Sequence, residues 1–224
     1  MRSLNGVSRN VKLITLIRTL SSVGFSSTIP FLALYLAEQR GVPFSVIGAM
    51  FFLQGALGMV SQLFAGVLAD RIGPRRTLIL GYAFSTSSAL YMAYAVGINL
   101  NPMIIVVTYP IFSLVRGVSL PAASALVADD KTDLVSSFSM MAMASNFGFA
   151  IGPAVGGLIV SGSGYASLFL LTALLLTIGL ILAFSLKEAQ YHLVVKKEGA
   201  KPDKWVTLFL IVTFLGYVVI GQDI

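Results

Sequence analysis

The residues of this chain that could do chemistry are charges set among apolar runs. Arg18 and Arg116 each lie within a stretch long enough to cross a bilayer. The segment Gly66 to Leu78, GVLADRIGPRRTL, crowds Asp70, Arg71, Arg75 and Arg76 into one short turn. No nucleophile or metal set accompanies them. There is no cysteine, the single histidine (His192) sits in a polar connector, and no acid lies well inside the first six apolar runs. A membrane zinc hydrolase needs several His or acid ligands. No enzyme activity and no cofactor are therefore expected, only a guanidinium or carboxylate meeting a solute or a neighbouring helix.

The elements that hold these charges follow from composition. Of 224 residues, 57% are hydrophobic and 11% charged, with a mean hydropathy of +0.90. Soluble chains carry about 25% charged residues. Apolar runs of about 20 residues, enough to cross a hydrocarbon core of about 30 Å, recur near 12–37, 44–69, 77–97, 102–128, 135–160, 165–186 and 205–224. The reading is an all-α polytopic protein of the lipid bilayer. The first run is longer than a signal-peptide core and lacks a small-residue cleavage site, so it reads as a retained span.

The net charge of +6 is a matter of topology and not of nucleic-acid binding. With the N-terminus inside, twelve of the thirteen Lys and Arg residues outside the spans fall on one side, and Arg40 alone on the other. Excess Lys and Arg marks the cytoplasmic face. A multi-pass protein of the cell membrane with a cytoplasmic N-terminus is expected. The long basic segment 187–204 divides the chain into a six-helix bundle (1–186), a cytoplasmic connector (187–204) and a seventh helix (205–224) that opens a second bundle. Within the first six, PFLALYLAE (Pro30 to Glu38) and PAASALVAD (Pro121 to Asp129) echo one another, each ending its span but on opposite sides of the membrane. That is the pattern of two inverted three-helix repeats.

GVLADRIGPRRTL resembles the loop between helices two and three of the major facilitator superfamily, G-x-L-a-D-r-x-G-r-k-x-x-l. Gly66, Leu68, Asp70, Arg71, Gly73, Arg75 and Leu78 fall on that pattern; Pro74 departs from it, and Arg76 supplies a neighbouring charge. In the fifth span, GFAIGPAVGG matches the family's g-x-x-x-G-P-x-x-G-G at Gly148, Gly152, Pro153, Gly156 and Gly157. Glycines four apart also make a groove for a neighbouring helix. In the family this second pattern is associated with antiporters. The resemblance implies a secondary transporter of a small solute, with or without a coupling ion, an antiporter or efflux carrier among the options. Two bundles would rock by alternating access, Gly66, Asp70, Arg71, Gly73, Arg75 and Arg76 acting as a conformational latch with Asp129 as an arginine's partner. The second bundle would come from a C-terminal half or another chain. A non-transporting membrane assembly or receptor-like bundle is the alternative.

Arg116 lies about 21 Å into the fourth span, where a charge faces a water-filled cavity or a partner. It resembles the family's helix-four arginine, although Leu120 replaces the glycine that follows it there. Lining a transport path and forming a buried pair both remain open for it. Arg18, about two turns into the first span, either lines the path or snorkels to headgroups, and Asn146 is read as a path residue or an interhelical hydrogen-bond partner. With barely one crossing of a second bundle, this length of chain is not expected to transport as a monomer. Saturable uptake into liposomes by purified chain that crosslinks only as monomer would contradict that.

Overall fold

The structure, a computed structural model, describes residues 8–129 and 133–188; the connector beyond Glu188 and the seventh span lie outside the described residues. Seven α-helices follow in order: α1 Arg9–Leu34, continued by a π-helical turn Tyr35–Gln39, α2 Phe44–Ile72, α3 Pro74–Gly97, α4 Pro102–Arg116, α5 Ser119–Ala128, α6 Leu134–Ser163 and α7 Tyr165–Phe184. Five spans among them are long and apolar enough to cross a membrane: α1 with its π turn, α2, α4 with α5, α6 and α7. The third expected span forms α3, long enough at about 36 Å but more polar because of its FSTSSA stretch. Ser87 and Ser88 donate to the carbonyls of Ala83 and Phe84 one turn back, the usual way a helix meets its own hydroxyls.

The fourth span differs from the expected continuous helix. It breaks at Gly117 and Val118, between α4 and α5. Pro121 has no N–H to give the Gly117 carbonyl four residues back, and its ring disfavours helical backbone at Leu120. Gly117 also sits where a side chain will not fit: a Cβ there would lie 2.7 Å from the Gly58 carbonyl oxygen of α2. The Ser61 hydroxyl donates to the Leu114 carbonyl, and Ser113 donates to that of Gln54 at 2.9 Å. Small residues and hydroxyls thus hold α2 against the broken span.

Numbering α4 with α5 as span four, α6 as five and α7 as six, the principal contacts are one–five, three–six, one–six, two–four and three–four. Exchanging one with four, two with five and three with six returns the same set. This is the packing expected of two three-helix repeats in opposite orientation, and it agrees with the PFLALYLAE and PAASALVAD echo.

Buried apolar side chains form two clusters. One, at the end where α1 begins, holds Ile14, Ile17, Leu78, Leu126 and Leu176. The other holds Leu32, Leu36, Met50, Ile105 and Phe169. Between them α1 is built of small residues, with Ser22, Gly24, Ser26, Ser27 and Thr28 all buried. Large apolar side chains such as Phe52, Leu63, Leu158 and Ile181 point outward, as a lipid-facing surface requires.

Arg40, the lone basic residue of the far side, is held in place. It donates to Asn99 Oδ1 at 2.9 Å and to the carbonyls of Asn99 and Leu100 at 3.0 and 2.9 Å. Its guanidinium also lies over the Tyr35 ring. The loop after α1 is thereby tied to the end of α3, where Asn99 turns with φ of 53°.

The small-residue layer is densest where α6 meets α1. Gly148, Gly152 and Gly156 are buried on one face of α6. A Cβ on Gly148 would lie 2.5 Å from Ser22 Cβ, one on Gly152 would lie 2.9 Å from the Ser27 nitrogen, and one on Gly156 would lie 2.5 Å from the Ser27 oxygen. The Ser26 hydroxyl bridges the seam, 2.7 Å from its own Ser22 carbonyl and 3.0 Å from that of Gly148. Gly157 is looser, its Cβ position being 3.5 Å from Phe31. Gly152→Ala is expected to cost about 1–3 kcal/mol by overpacking, lowering the midpoint of thermal unfolding in detergent. Gly162→Ala on the same helix, with nothing within 4 Å of the added carbon, is expected to leave the midpoint unchanged or slightly raised.

Candidate functional site

The charged turn is built by a glycine and a proline. α2 ends at Ile72, and Gly73 reverses the chain with φ of 91°, a conformation that glycine adopts without a steric penalty. Pro74 then opens α3 at its first position, where a missing N–H is harmless. Thr77 donates its hydroxyl back to the Gly73 carbonyl at 2.9 Å. The backbone at Gly73 is also approached from outside: a Cβ there would lie 2.6 Å from Glu188 Oε1, just past α7.

The three arginines of the turn have different surroundings. Arg75 is half-buried and donates to the Phe184 carbonyl at 2.6 Å, capping the C-terminal end of α7, where a cation is favoured. Arg71 and Arg76 are exposed. A second tie fixes the same end of α7. Asn10, in the first turn of α1, donates to the Lys187 carbonyl at 3.2 Å and accepts from the Lys187 N–H at 3.1 Å. One end of the bundle therefore joins the start of α1, the α2–α3 turn and the exit of α7. The sequence offers Asp129 as a partner for an arginine of the turn and does not point to Phe184 or Asn10. A carbonyl acceptor leaves no mark in residue type, and Asn10 and Lys187 lie 177 positions apart.

Gly66 and Asp70 stand apart from these ties. Gly66 is exposed on α2, and a Cβ there would meet nothing within 4 Å. Among the described residues no helix uses the close approach that this glycine permits. Asp70 is exposed in the last turn of α2, and among the described residues no hydrogen bond reaches its carboxylate; α3, opening on Pro74, offers it no first N–H. Asp129 is the C-cap residue of α5, at the same end of the bundle as the turn.

Of the residues read as a path, Arg18 is half-buried on α1 and donates from Nη2 to the Ser145 hydroxyl of α6 at 3.0 Å. Asn146, beside Ser145, is exposed. Arg116 ends α4, immediately before the break in span four; its side chain lies outside the described residues. Pro153 is exposed within α6. The hydroxyls of Ser22, Ser26, Ser27 and Thr28 are buried, and Ser22, Ser26 and Ser27 lie in the α1–α6 seam.

Among the described residues the bundle is all-helical, built of two inverted three-helix units and apolar on its outer surface, the architecture of a multi-pass membrane protein. The family model described as Major Facilitator Superfamily matches residues 14–222, and the chain belongs to that superfamily. It is 28% identical over 167 residues to the uncharacterized MFS-type transporter YqjV of Bacillus subtilis, covering 73% of this chain and 39% of that protein. It is 25% identical over 170 residues to a Na(+), Li(+), K(+)/H(+) antiporter of Planococcus maritimus, covering 75% and 40%. It is 28% identical over 144 residues to the quinolone resistance protein NorA of Staphylococcus aureus, covering 63% and 36%. Among solved structures, that of the peptide transporter POT superposes with a TM-score of 0.71 at 19% identity, covering 97% of this chain and 48% of that one. The chain spans about two fifths of the length of these curated relatives. Its family is one of secondary transporters.

Removing the cap on α7 should be felt locally. Arg75→Ala is expected to weaken the last turn of α7 by about 0.5–1 kcal/mol, raising amide exchange near residues 180–188 about two- to five-fold. Arg76→Ala, exposed and outside this contact, is expected to leave exchange there unchanged.

Proposed function

We propose that this chain forms the N-terminal bundle of a secondary transporter that moves a small solute by alternating access, without catalysing a covalent reaction. Segment 187–204 is the connector to a second bundle, of which 205–224 is the first helix. The bundle sits in the cell membrane with its N-terminus and basic end cytoplasmic, which the twelve-to-one placement of Lys and Arg supports. The second bundle comes from further chain or a second polypeptide. The antiporter relative supports coupling to an ion, and together with the glycine-proline motif it supports exchange.

The observation that carries this reading is the division within the charged turn. Arg75 and Gly73 are engaged inside the bundle, at Phe184 and Glu188. Gly66 and Asp70 lie on the exposed side of α2, where no helix among the described residues approaches Gly66. A small residue above a carboxylate suits a helix end of the second bundle: the glycine admits close backbone approach, and the carboxylate accepts from N–H groups at a helix start. Arg71, Arg76 and Asp129 complete the latch at that end. Arg18, Arg116 and Asn146 line the path between the bundles.

A latch acts on the rate of interconversion and not on solute contacts. In a transporter carrying both bundles, Asp70→Asn is expected to lower turnover several-fold while leaving the substrate concentration for half-maximal transport nearly unchanged. An unaltered turnover would remove the latch role.

A further inference from the structure

Arg18 carries a charge into the bundle that no described residue answers with an opposite one. It lies about 13 Å along α1 from Arg9, and its partner Ser145 lies about 16 Å along α6 from Leu134. The guanidinium thus turns sideways into a helix–helix seam at matching depth. Its Nη2 donates to a neutral hydroxyl, which is itself 3.2 Å from the Met141 carbonyl of its own helix. Its Nε–H is buried and meets no acceptor. The Arg18 backbone carbonyl accepts from the Ser21 hydroxyl, which in turn accepts from Tyr82 at 3.1 Å; the guanidinium itself bonds to Ser145. No acid lies well inside the first six apolar runs.

An arginine keeps its proton in proteins, so it cannot relieve this burial by becoming neutral as a lysine or histidine would. A guanidinium partly withdrawn from water is stabilised by an acceptor for its N–H groups and by a countercharge. Serine supplies an acceptor alone. A planar oxyanion supplies both, because two of its oxygens match the fork of guanidinium donors.

We infer that Arg18, with Ser145 holding one of its nitrogens, anchors a binding site between α1 and α6 for a small soluble oxyanion, a carboxylate or phosphate. The inference rests on the path assigned to Arg18 above and names the class of solute that path takes. Substrate approaches from the partly exposed side of the guanidinium and is held by charge-assisted hydrogen bonds. Ser145 keeps the guanidinium turned toward α6.

The test reads binding and not transport. The purified chain in neutral detergent is titrated with acetate or inorganic phosphate at constant ionic strength against chloride, and thermal unfolding is followed. A saturable rise in midpoint of several degrees is expected, absent in Arg18→Gln, partly kept in Arg18→Lys and unchanged in Arg40→Gln. No rise, or an equal rise in Arg18→Gln, overturns the site. Protection by added phosphatidylglycerol but not by acetate or phosphate also overturns it, since the oxyanion would then be a lipid headgroup. Should Arg18→Gln fail to fold, 15N-arginine spectra of the unmodified chain decide. The Arg18 Nε resonance must shift with acetate or phosphate, and a static resonance overturns the proposal. Failure here leaves alternating access standing with a neutral or cationic solute, whereas failure of the Asp70 test leaves anion binding untouched.

Discussion

The bundle depends on backbone-to-backbone contact between α1 and α6. In lipid there is no hydrophobic force to press helices together, since the surrounding tails are as apolar as leucine. What remains is dispersion at short range and hydrogen bonds that lipid cannot offer. Gly148, Gly152 and Gly156 provide both by removing every side chain from the face of α6 that meets Ser22, Ser26 and Ser27. Ser26 reaches the Gly148 carbonyl only because the two backbones are that close. Thr172 of α7 repeats the device against Gly24, donating to its carbonyl at 2.8 Å. α1 is thus clasped on two sides through its small-residue middle, with conventional apolar clusters above and below.

The same chemistry recurs at the symmetry-related contact. Span two meets span four through Gly58, Ser61, Ser113 and Gly117, as span one meets span five through serines and glycines. Here a second constraint enters, because Pro121 leaves the Gly117 carbonyl without a helical N–H partner. A break at membrane depth is tolerated when protein covers the freed backbone, and α2 supplies that cover. Arg116 ends the first half of the broken helix, so the charge and the irregular backbone fall at the same level of the span.

At the basic end, charge has two uses. Arg75 caps α7 and Asn10 pairs with the Lys187 backbone, so three chain segments are joined into one rigid corner. Arg71 and Arg76 stay exposed and do none of this. At the far end Arg40 makes a comparable staple with the carbonyls after α3. Each staple closes a repeat where a helix end leaves carbonyls unmet. The middle of the bundle is thereby left to the small residues.

The number and rough limits of the first six spans, the fold class and the family were legible in the sequence. Length of apolar run, the side on which Lys and Arg collect, and glycines at fixed spacing are properties of local order, set by the thickness of the bilayer and the pitch of a helix. The α6 glycines could be singled out on that basis, and Asp70 and Gly73 through the resemblance of their loop to the family pattern. Partner identity was not legible. That Arg75 meets Phe184, Arg18 meets Ser145, and Arg40 meets Asn99 and Leu100 depends on which helices become neighbours, and a carbonyl acceptor looks the same at every residue. The break in span four shows the division most plainly. Gly117 and Pro121 stand in the sequence as a weak point, as Pro110 and Pro153 do, yet α4 and α6 run through those two prolines. Sequence determined where a helix could yield; only the packing of α2 against Gly117 decided where it did, because a freed backbone is stable only where a neighbour takes the place of water.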